Sequence, residues 1–309
     1  MFMPPLVETG WLRRRLQVKL ALVKTQLAVA SGVIAPHRIF GHVADDVWFS
    51  INTTGYRQYG SFRRVLPSLP DPRTQREFIG SDGDRALREA FRVYQLIRHI
   101  AAGLGRPVTH RSVVLDFGCG WGRTIRFFMR DTPATQLHGV DVTERAIVLS
   151  RETNPWCDFS RVPPMPPSSL PSDTFDVIYL YSVFSHLSEE AHDRWVTEFR
   201  RILRPGGLLL ATTWPRHYLE RCELARRGDV KAGTHGCSLL AFDGLEGWLD
   251  RYDRGDYCHS DVGVSDYYGE TCIPESYVRR RWADRFAIRD YVEADDDWLW
   301  QNLIVGQRL

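Results

Sequence analysis

The stretch Val113–Thr124, VVLDFGCGWGRT, reads as a strand, a glycine turn and the start of a helix. Val113, Val114 and Leu115 form the short apolar run of a strand buried on both faces. Asp116 follows, and glycines stand at 118, 120 and 122. Glycine admits positive φ and lets a ligand approach the main chain closely. Arg123–Arg130 continues as a helix until Asp131-Thr132-Pro133 ends it. The N-terminus of such a helix offers free N–H groups and partial positive charge, which suits a carboxylate. The order is D-x-G-x-G-x-G, whereas the fingerprint that grips a pyrophosphate is G-x-G-x-x-G. An acid so close to the loop disfavours a pyrophosphate and favours a ligand with a cationic or amino group. An ordinary strand–turn–helix, with glycines for packing, is the competing reading.

These residues resemble the first motif of the S-adenosylmethionine-dependent methyltransferases of Rossmann-like fold. The resemblance implies backbone contacts from the loop to the cofactor's methionine part, with Asp116 near its amino group. Asp116, Phe117, Gly118, Cys119, Gly120, Gly122 and Arg123 are then candidate cofactor contacts. Gln136–Asp141 reads as the second strand and ends in an acid, 25 residues past Asp116. A carboxylate there, with Val142 beside it, can accept both ribose hydroxyls beyond the strand ends. Asp141 also suits the start of a helix over Thr143–Arg151, and the two roles are compatible.

The third strand departs from the family pattern. Cys157–Val162 is followed by Pro163-Pro164-Met165-Pro166-Pro167, and the prolines match. The polar residue that contacts adenine does not align; Asp158 or Ser160 can fill that place, and Phe159 can stack on the ring. Phe175–Tyr181 is an apolar, β-rich fourth strand. Its continuation, Ser182-Val183-Phe184-Ser185-His186-Leu187, resembles the post-strand motif that borders sulfonium and substrate in small-molecule methyltransferases. Ser182 is therefore a cofactor candidate and His186 a catalytic one. A histidine can accept a proton from a hydroxyl nucleophile; the alternative is that it bonds a carbonyl and shapes the turn. Ser188, Glu189 and Glu190 open the next helix, and Arg204-Pro205-Gly206-Gly207 turns it into a fifth strand, Leu208–Thr213. The phrase from Phe199 to Gly207 also looks like this family, so the resemblance covers about residues 83–213.

Composition sets the frame. The chain has 309 residues, a formal net charge of +2, 43% hydrophobic and 25% charged residues, as in an ordinary globular protein. That balance gives no global reason to expect a nucleic-acid partner. The cysteines at 119, 157, 222, 237, 258 and 272 form no C-x-x-C pair, so no disulfide framework or metal signature is expected, and a reducing, cytoplasmic setting is. No run is long and apolar enough for a membrane span.

Upstream, residues 11–30 read as a helix with Leu16, Leu20, Val23 and Leu27 on one stripe. Arg13, Arg14, Arg15, Lys19 and Lys24 surround it. Such a helix lies on an anionic membrane surface, or packs on its own domain or a second copy; the packing role is expected. Lys19 and Lys24 interrupt what would be the core of a cleaved signal peptide. Residues 36–75 are rich in turn formers and read as an irregular cap, with Trp48, Phe49, Tyr56, Tyr59 and Phe62 mostly packing under it. Ser81 and Asp84 have capping-box spacing before an amphipathic helix that ends at Gly103 and Gly105.

Downstream, Trp214–Pro274 is too long for a plain connection and reads as an inserted lid or substrate cap. It holds His235, Asp266 and Glu270, further candidates for proton transfer, and Tyr267 and Tyr268, which suit a polyhydroxylated acceptor. Pro274–Arg281 reads as a short helix, and Arg285–Tyr291 with Leu299–Gln307 as a closing antiparallel hairpin. The phrasing of Ser276–Trp282 and Gln301–Val305 resembles methyltransferases of glycan or cell-surface biosynthesis.

The expected architecture is α/β: a Rossmann-like methyltransferase sheet, mostly parallel with an antiparallel last strand, an N-terminal helical cap over 1–82, and a methyltransferase domain over 83–309 with an insertion at about 214–274. The expected reaction is O-methylation of a small molecule or saccharide, with S-adenosylmethionine as cofactor; no residue is singled out as a metal ligand, and metal dependence is left open. N-methylation, a cofactor-binding module without turnover, and a nicotinamide oxidoreductase are the alternatives, the last disfavoured by D-x-G-x-G-x-G. An RNA or protein methyltransferase would carry an (N/D)-P-P-(Y/F) motif where Ser182–Ser185 stands.

Overall fold

The computed structural model describes residues 10–227, 242, 245–295 and 299–309. Two compact units make up the chain, Met1–Arg161 and Val162–Leu309. Among the described residues, no helix is long and apolar enough to cross a membrane.

The first unit begins with α1 (Trp11–Ser31). Short helices α2 (Pro36–Phe40), α3 (Asp45–Ser50), α4 (Tyr56–Gln58), α5 (Gly60–Arg63) and α6 (Pro72–Ile79) follow, with a π turn over Ile51–Gly55. The segment expected to be irregular is thus largely helical. Its turn residues end short helices instead of excluding them: Pro36 and Pro72 sit in first turns, where a missing N–H costs nothing. Tertiary bonds fix the rest. Trp48 Nε1 donates to Phe127 O at 3.0 Å, and Trp48 and Phe62 are fully buried, as packing under a cap requires. Arg126 is also fully buried; its guanidinium donates to Pro67 O, Ser68 O and Asn52 Oδ1.

α7 (Gly83–Gly103) packs Leu87, Phe91, Tyr94, Ile97 and Ala101 inward, as its periodicity dictates. The capping box is not formed: Asp82 is the N-cap and makes no side-chain cap bond, because it pairs with Arg76 while Asp84 pairs with Arg57. β1 (Val114–Phe117), β2 (Leu137–Asp141) and β3 (Asp158–Arg161) run parallel in the order β3-β2-β1, with Val114 opposite Leu137 and His138 opposite Asp158. All four residues of β1 are buried, which is why its run is continuously apolar. α8 covers only Ile125–Phe128, shorter than the helix expected over 123–130. The glycine turn holds the chain through Gly122, and the amides of Met129, Arg130 and Asp131 bond three residues back, so the segment closes as tight turns. α9 (Glu144–Thr153) follows β2.

In the second unit, β4 (Phe175–Leu180) runs parallel to β5 (Leu203–Thr213), with α10 (Glu189–Ile202) between them. Ser188 Oγ accepts from Ala191 N at the N-cap, as its position suggests. The register jumps from Phe175↔Leu203 to Val177↔Leu208, so Arg204–Gly207 forms a bulge inside β5. After α11 (Arg216–Arg227) and α12 (Leu245–Asp253), β6 (Cys258–Ser265) and β7 (Tyr268–Cys272) form a separate hairpin. α13 (Glu275–Arg281) leads to β8 (Phe286–Val292) and β9 (Asn302–Arg308), and β9 pairs antiparallel with both β8 and β5. Strands mostly parallel, with an antiparallel ending, are the α/β class expected.

His192 on α10 sits in the core of this unit, its ring centroid 4.6 Å from Phe184, 5.2 Å from Tyr257 and 5.7 Å from Trp282. Among the described residues neither ring nitrogen has a hydrogen-bond partner, and burial lowers its pKa from 6.5 to about 3. The unfolded chain therefore takes up this proton first as pH falls. Its stabilising effect is complete above pH 6.5 and is lost progressively down to about 3. Unfolding free energy measured in urea between pH 6 and 4 should fall by up to about 1.4 kcal/mol per pH unit from this group. His192→Phe should flatten that slope by one proton; an unchanged slope would mean the native ring already titrates.

Candidate functional site

The first unit shapes a loop at the ends of β1 and β2. Gly118 N and Cys119 N both donate to Val140 O, at 2.8 and 3.0 Å. Gly118, Gly120 and Gly122 have φ of 77°, 54° and 74°, a left-handed run that other residues would hold only under strain. Gly120 N donates to Asp141 Oδ2 at 3.1 Å, and Asp141 Oδ1 accepts from Thr143 N and Oγ1 at 2.9 and 2.8 Å. One carboxylate thus ties the glycine loop to the start of α9. Ser150 Oγ adds a bond to Gly120 O at 2.8 Å. Phe78 of α6 approaches the same loop: a Cβ on Gly120 would lie 3.7 Å from its ring.

The electrostatics are acidic. Asp116 is buried, and the Cys119 thiol is pushed well above its ordinary range by burial and by the carboxylates of Asp116 and Asp141. Both acids therefore act on one spot. A loop with glycine at three alternate positions, flanked by two carboxylates, fits a ligand with an amino or sulfonium group better than a pyrophosphate.

The second unit shapes a different cluster. Ser182, just past β4, is left-handed at φ 61°. Its N–H donates to Thr212 Oγ1 at 2.8 Å, Thr212 Oγ1 donates to Gln301 Oε1 at 2.5 Å, and Gln301 Nε2 returns to Ser182 Oγ at 3.1 Å. This closed ring of bonds holds a conformation that costs about 1 to 2 kcal/mol. His186 follows within the same turn. Its Nδ1 lies 3.0 Å from Gly269 O, and a carbonyl cannot donate, so Nδ1 carries the hydrogen and Nε2 of the neutral ring is an acceptor. Glu270 Oε1 lies 3.5 Å from the same Nδ1. Its other oxygen accepts from Trp214 Nε1 at 2.6 Å and Tyr218 OH at 3.2 Å. Tyr268 stacks on the imidazole at 5.1 Å.

A methyltransferase domain matches residues 115–209. The chain is 25% identical over 203 residues to an uncharacterized methyltransferase of Schizosaccharomyces pombe, covering 59% of this chain and 69% of that protein. It is 31% identical over 121 residues to a protein of Mycolicibacterium smegmatis named "Probable S-adenosylmethionine-dependent methyltransferase", covering 39% of this chain and 42% of that one. It is 23% identical over 202 residues to the malonyl-[acyl-carrier protein] O-methyltransferase of a Paenibacillus strain, covering 59% and 71%. The chain carries an S-adenosylmethionine-dependent methyltransferase domain over residues 115–209.

Several residues of this methyltransferase sit otherwise than the sequence suggested. Phe159 is 1% exposed; its ring fills the space over Gly122 and Gly139, so it packs the strand and presents no free face for stacking. Ser160 lies opposite Val140, half-buried. Arg123 forks onto Glu89 at 3.0 and 3.4 Å and so ties the loop to α7. Phe117 is core, and the carbonyl of Val142 accepts from Arg161. Ser182 has its N–H committed to Thr212 on β5, and its Oγ accepts from Gln301. Asp266 is exposed in the turn between β6 and β7, with no hydrogen bond or ion pair to His186 or Glu270 among the described residues. His235 lies outside the described residues.

Trp214, Tyr218, Gly269 and Thr212 were not singled out as site residues from sequence, and Gln301 entered only as part of the Gln301–Val305 phrase, because each acts across 30 to 119 residues of chain. Gly269 alone left a signal, a glycine between Tyr268 and Glu270 in a strand. A Cβ there would lie 2.2 Å from Ser260 O and 2.6 Å from the His259 ring. Gly269→Ala should therefore cost about 1 to 3 kcal/mol in urea unfolding. Gly247→Ala, at an open helical position, should cost no stability; equal effects would contradict the tight contact.

Proposed function

We propose that this methyltransferase methylates a hydroxyl of a small molecule or saccharide, with His186 as general base and Glu270 behind it. The observation that carries this reading is the fixed tautomer of His186. Its Nδ1–H is held by Gly269 O, with the Glu270 carboxylate 3.5 Å away, which leaves Nε2 to accept a proton. A hydroxyl must lose its proton as it attacks, and a carboxylate beside the imidazolium stabilises the charge that results. S-adenosylmethionine supplies a methyl already activated on a sulfonium, so orientation of the acceptor is the chain's main contribution. Asp116, the loop from Gly118 to Gly122 and Asp141 are proposed to hold that cofactor, Asp141 at its ribose. The Paenibacillus relative is named as an O-methyltransferase, which is consistent with oxygen as the methylated atom.

The insertion over 214–274 is proposed as the acceptor lid, because it supplies Trp214, Tyr218, Tyr268 and Glu270 around His186. Residues 1–82 are proposed as a cap on the cofactor loop, which Phe78 already approaches. The free, buried thiols of Cys119, Cys157, Cys222, Cys258 and Cys272 suit a reducing, cytoplasmic setting.

Mass spectrometry of small metabolites and envelope glycans, with and without the gene, should reveal an acceptor that loses single-methyl increments. With that acceptor, His186→Asn should lower kcat by about a hundredfold or more, and Glu270→Gln by less. Unchanged kcat in His186→Asn would remove the base and point to an amine acceptor, which can react without one.

A further inference from the structure

Among the described residues α1 packs through one face and leaves an apolar stripe exposed. Ala21 and Thr25 are buried against the first unit, where Gln17 Oε1 accepts from Ala44 N at 2.9 Å. Leu12, Leu16, Leu20, Val23 and Leu27 point elsewhere and are 43% to 75% exposed. At roughly 100° per residue these five fall within an arc of about 80°, centred about 160° from Ala21 and Thr25. The stripe runs about 22 Å along the helix. Arg15 and Lys19 border one edge, Arg13 and Lys24 the other, and α1 contains no acidic residue. Trp11, 68% exposed, stands at one end of the helix, and Val33 and Ile34 are exposed just past the other. Packing on its own domain, one of the roles expected for this stripe, is therefore taken by a different face.

A continuous apolar stripe of this kind, edged by cations, marks an interaction surface rather than scattered exposed leucines. We propose that α1 docks on an anionic lipid surface, with the leucine stripe at the boundary of headgroups and acyl chains and the basic edges among the headgroups. Charge decides between occupants. Two copies joined through this stripe would bring their basic edges together with no acid on either helix to offset them. An anionic surface complements both edges at once. The docking is independent of the acceptor assigned above.

The test is flotation of the full-length protein with vesicles of phosphatidylcholine alone, and of phosphatidylcholine mixed with phosphatidylglycerol. The protein should float with the anionic vesicles and release as salt is raised. Two triple variants, Leu16→Gln with Leu20→Gln and Leu27→Gln, and Arg13→Gln with Arg15→Gln and Lys19→Gln, should each partition at least about tenfold less. Because these side chains are exposed, the melting temperature should hold, which separates lost docking from lost folding. Failure of the wild type to float with anionic vesicles would overturn the proposal. Partition that neither variant changes would do the same. A wild-type dimer that the leucine variant dissociates, without vesicle binding, would assign the stripe to a second copy instead.

Discussion

The bond from Gly120 N to the Asp141 carboxylate is the constraint on which the glycine loop of the first unit depends. It joins two features far apart in sequence, a glycine turn after β1 and an acid at the end of β2. The turn is left-handed at three alternate positions, which no ordinary side chain would hold without strain. The acid then serves twice, bonding the loop with one oxygen and the start of α9 with the other. Parallel pairing of β1 with β2 makes this meeting possible, since it brings the carboxyl ends of both strands to one edge.

The second unit solves a comparable problem with side chains. The turn after β4 bends sharply enough to put Ser182 in a left-handed conformation, and the Thr212–Gln301 ring keeps it there. His186 then meets the β7 strand, whose Gly269 carbonyl selects the tautomer and whose Glu270 stands behind the ring. The buried Glu270 is itself held by an indole and a phenol. The stacked pair Trp214 and Tyr218, at 4.3 Å, fixes that support. An imidazole oriented this way has Nε2 as its acceptor nitrogen, and this leads to the proposal of a base for a hydroxyl acceptor.

Local patterns carried much of this into the sequence. The glycine spacing, the acid after the second strand, the alternation of strand and helix and the antiparallel ending are all properties of short segments. What was hidden depends on which surfaces meet. Periodicity showed the leucine stripe of α1, but could not say that the smaller face of Ala21 and Thr25 would dock. A capping box at Ser81 and Asp84 was displaced by arginines arriving from Arg57 and Arg76. Phe159 looked free to stack until the bare face of Gly139 gave its ring a place to pack. Arg126, read as part of a plain helix, is buried on three carbonyl and amide oxygens, with burial lowering its pKa to about 10.

The central claim is that the loop tied by Asp141 cradles a sulfonium-bearing nucleoside. Isothermal titration of the full chain with S-adenosylhomocysteine tests it most directly, beside a matched titration with nicotinamide adenine dinucleotide. Saturable heat with the first and none with the second is predicted, with affinity lowered at least about tenfold by Asp141→Ala, a loss of about 1.4 kcal/mol or more. Heat only with the dinucleotide, or binding that Asp141→Ala leaves untouched, would contradict it.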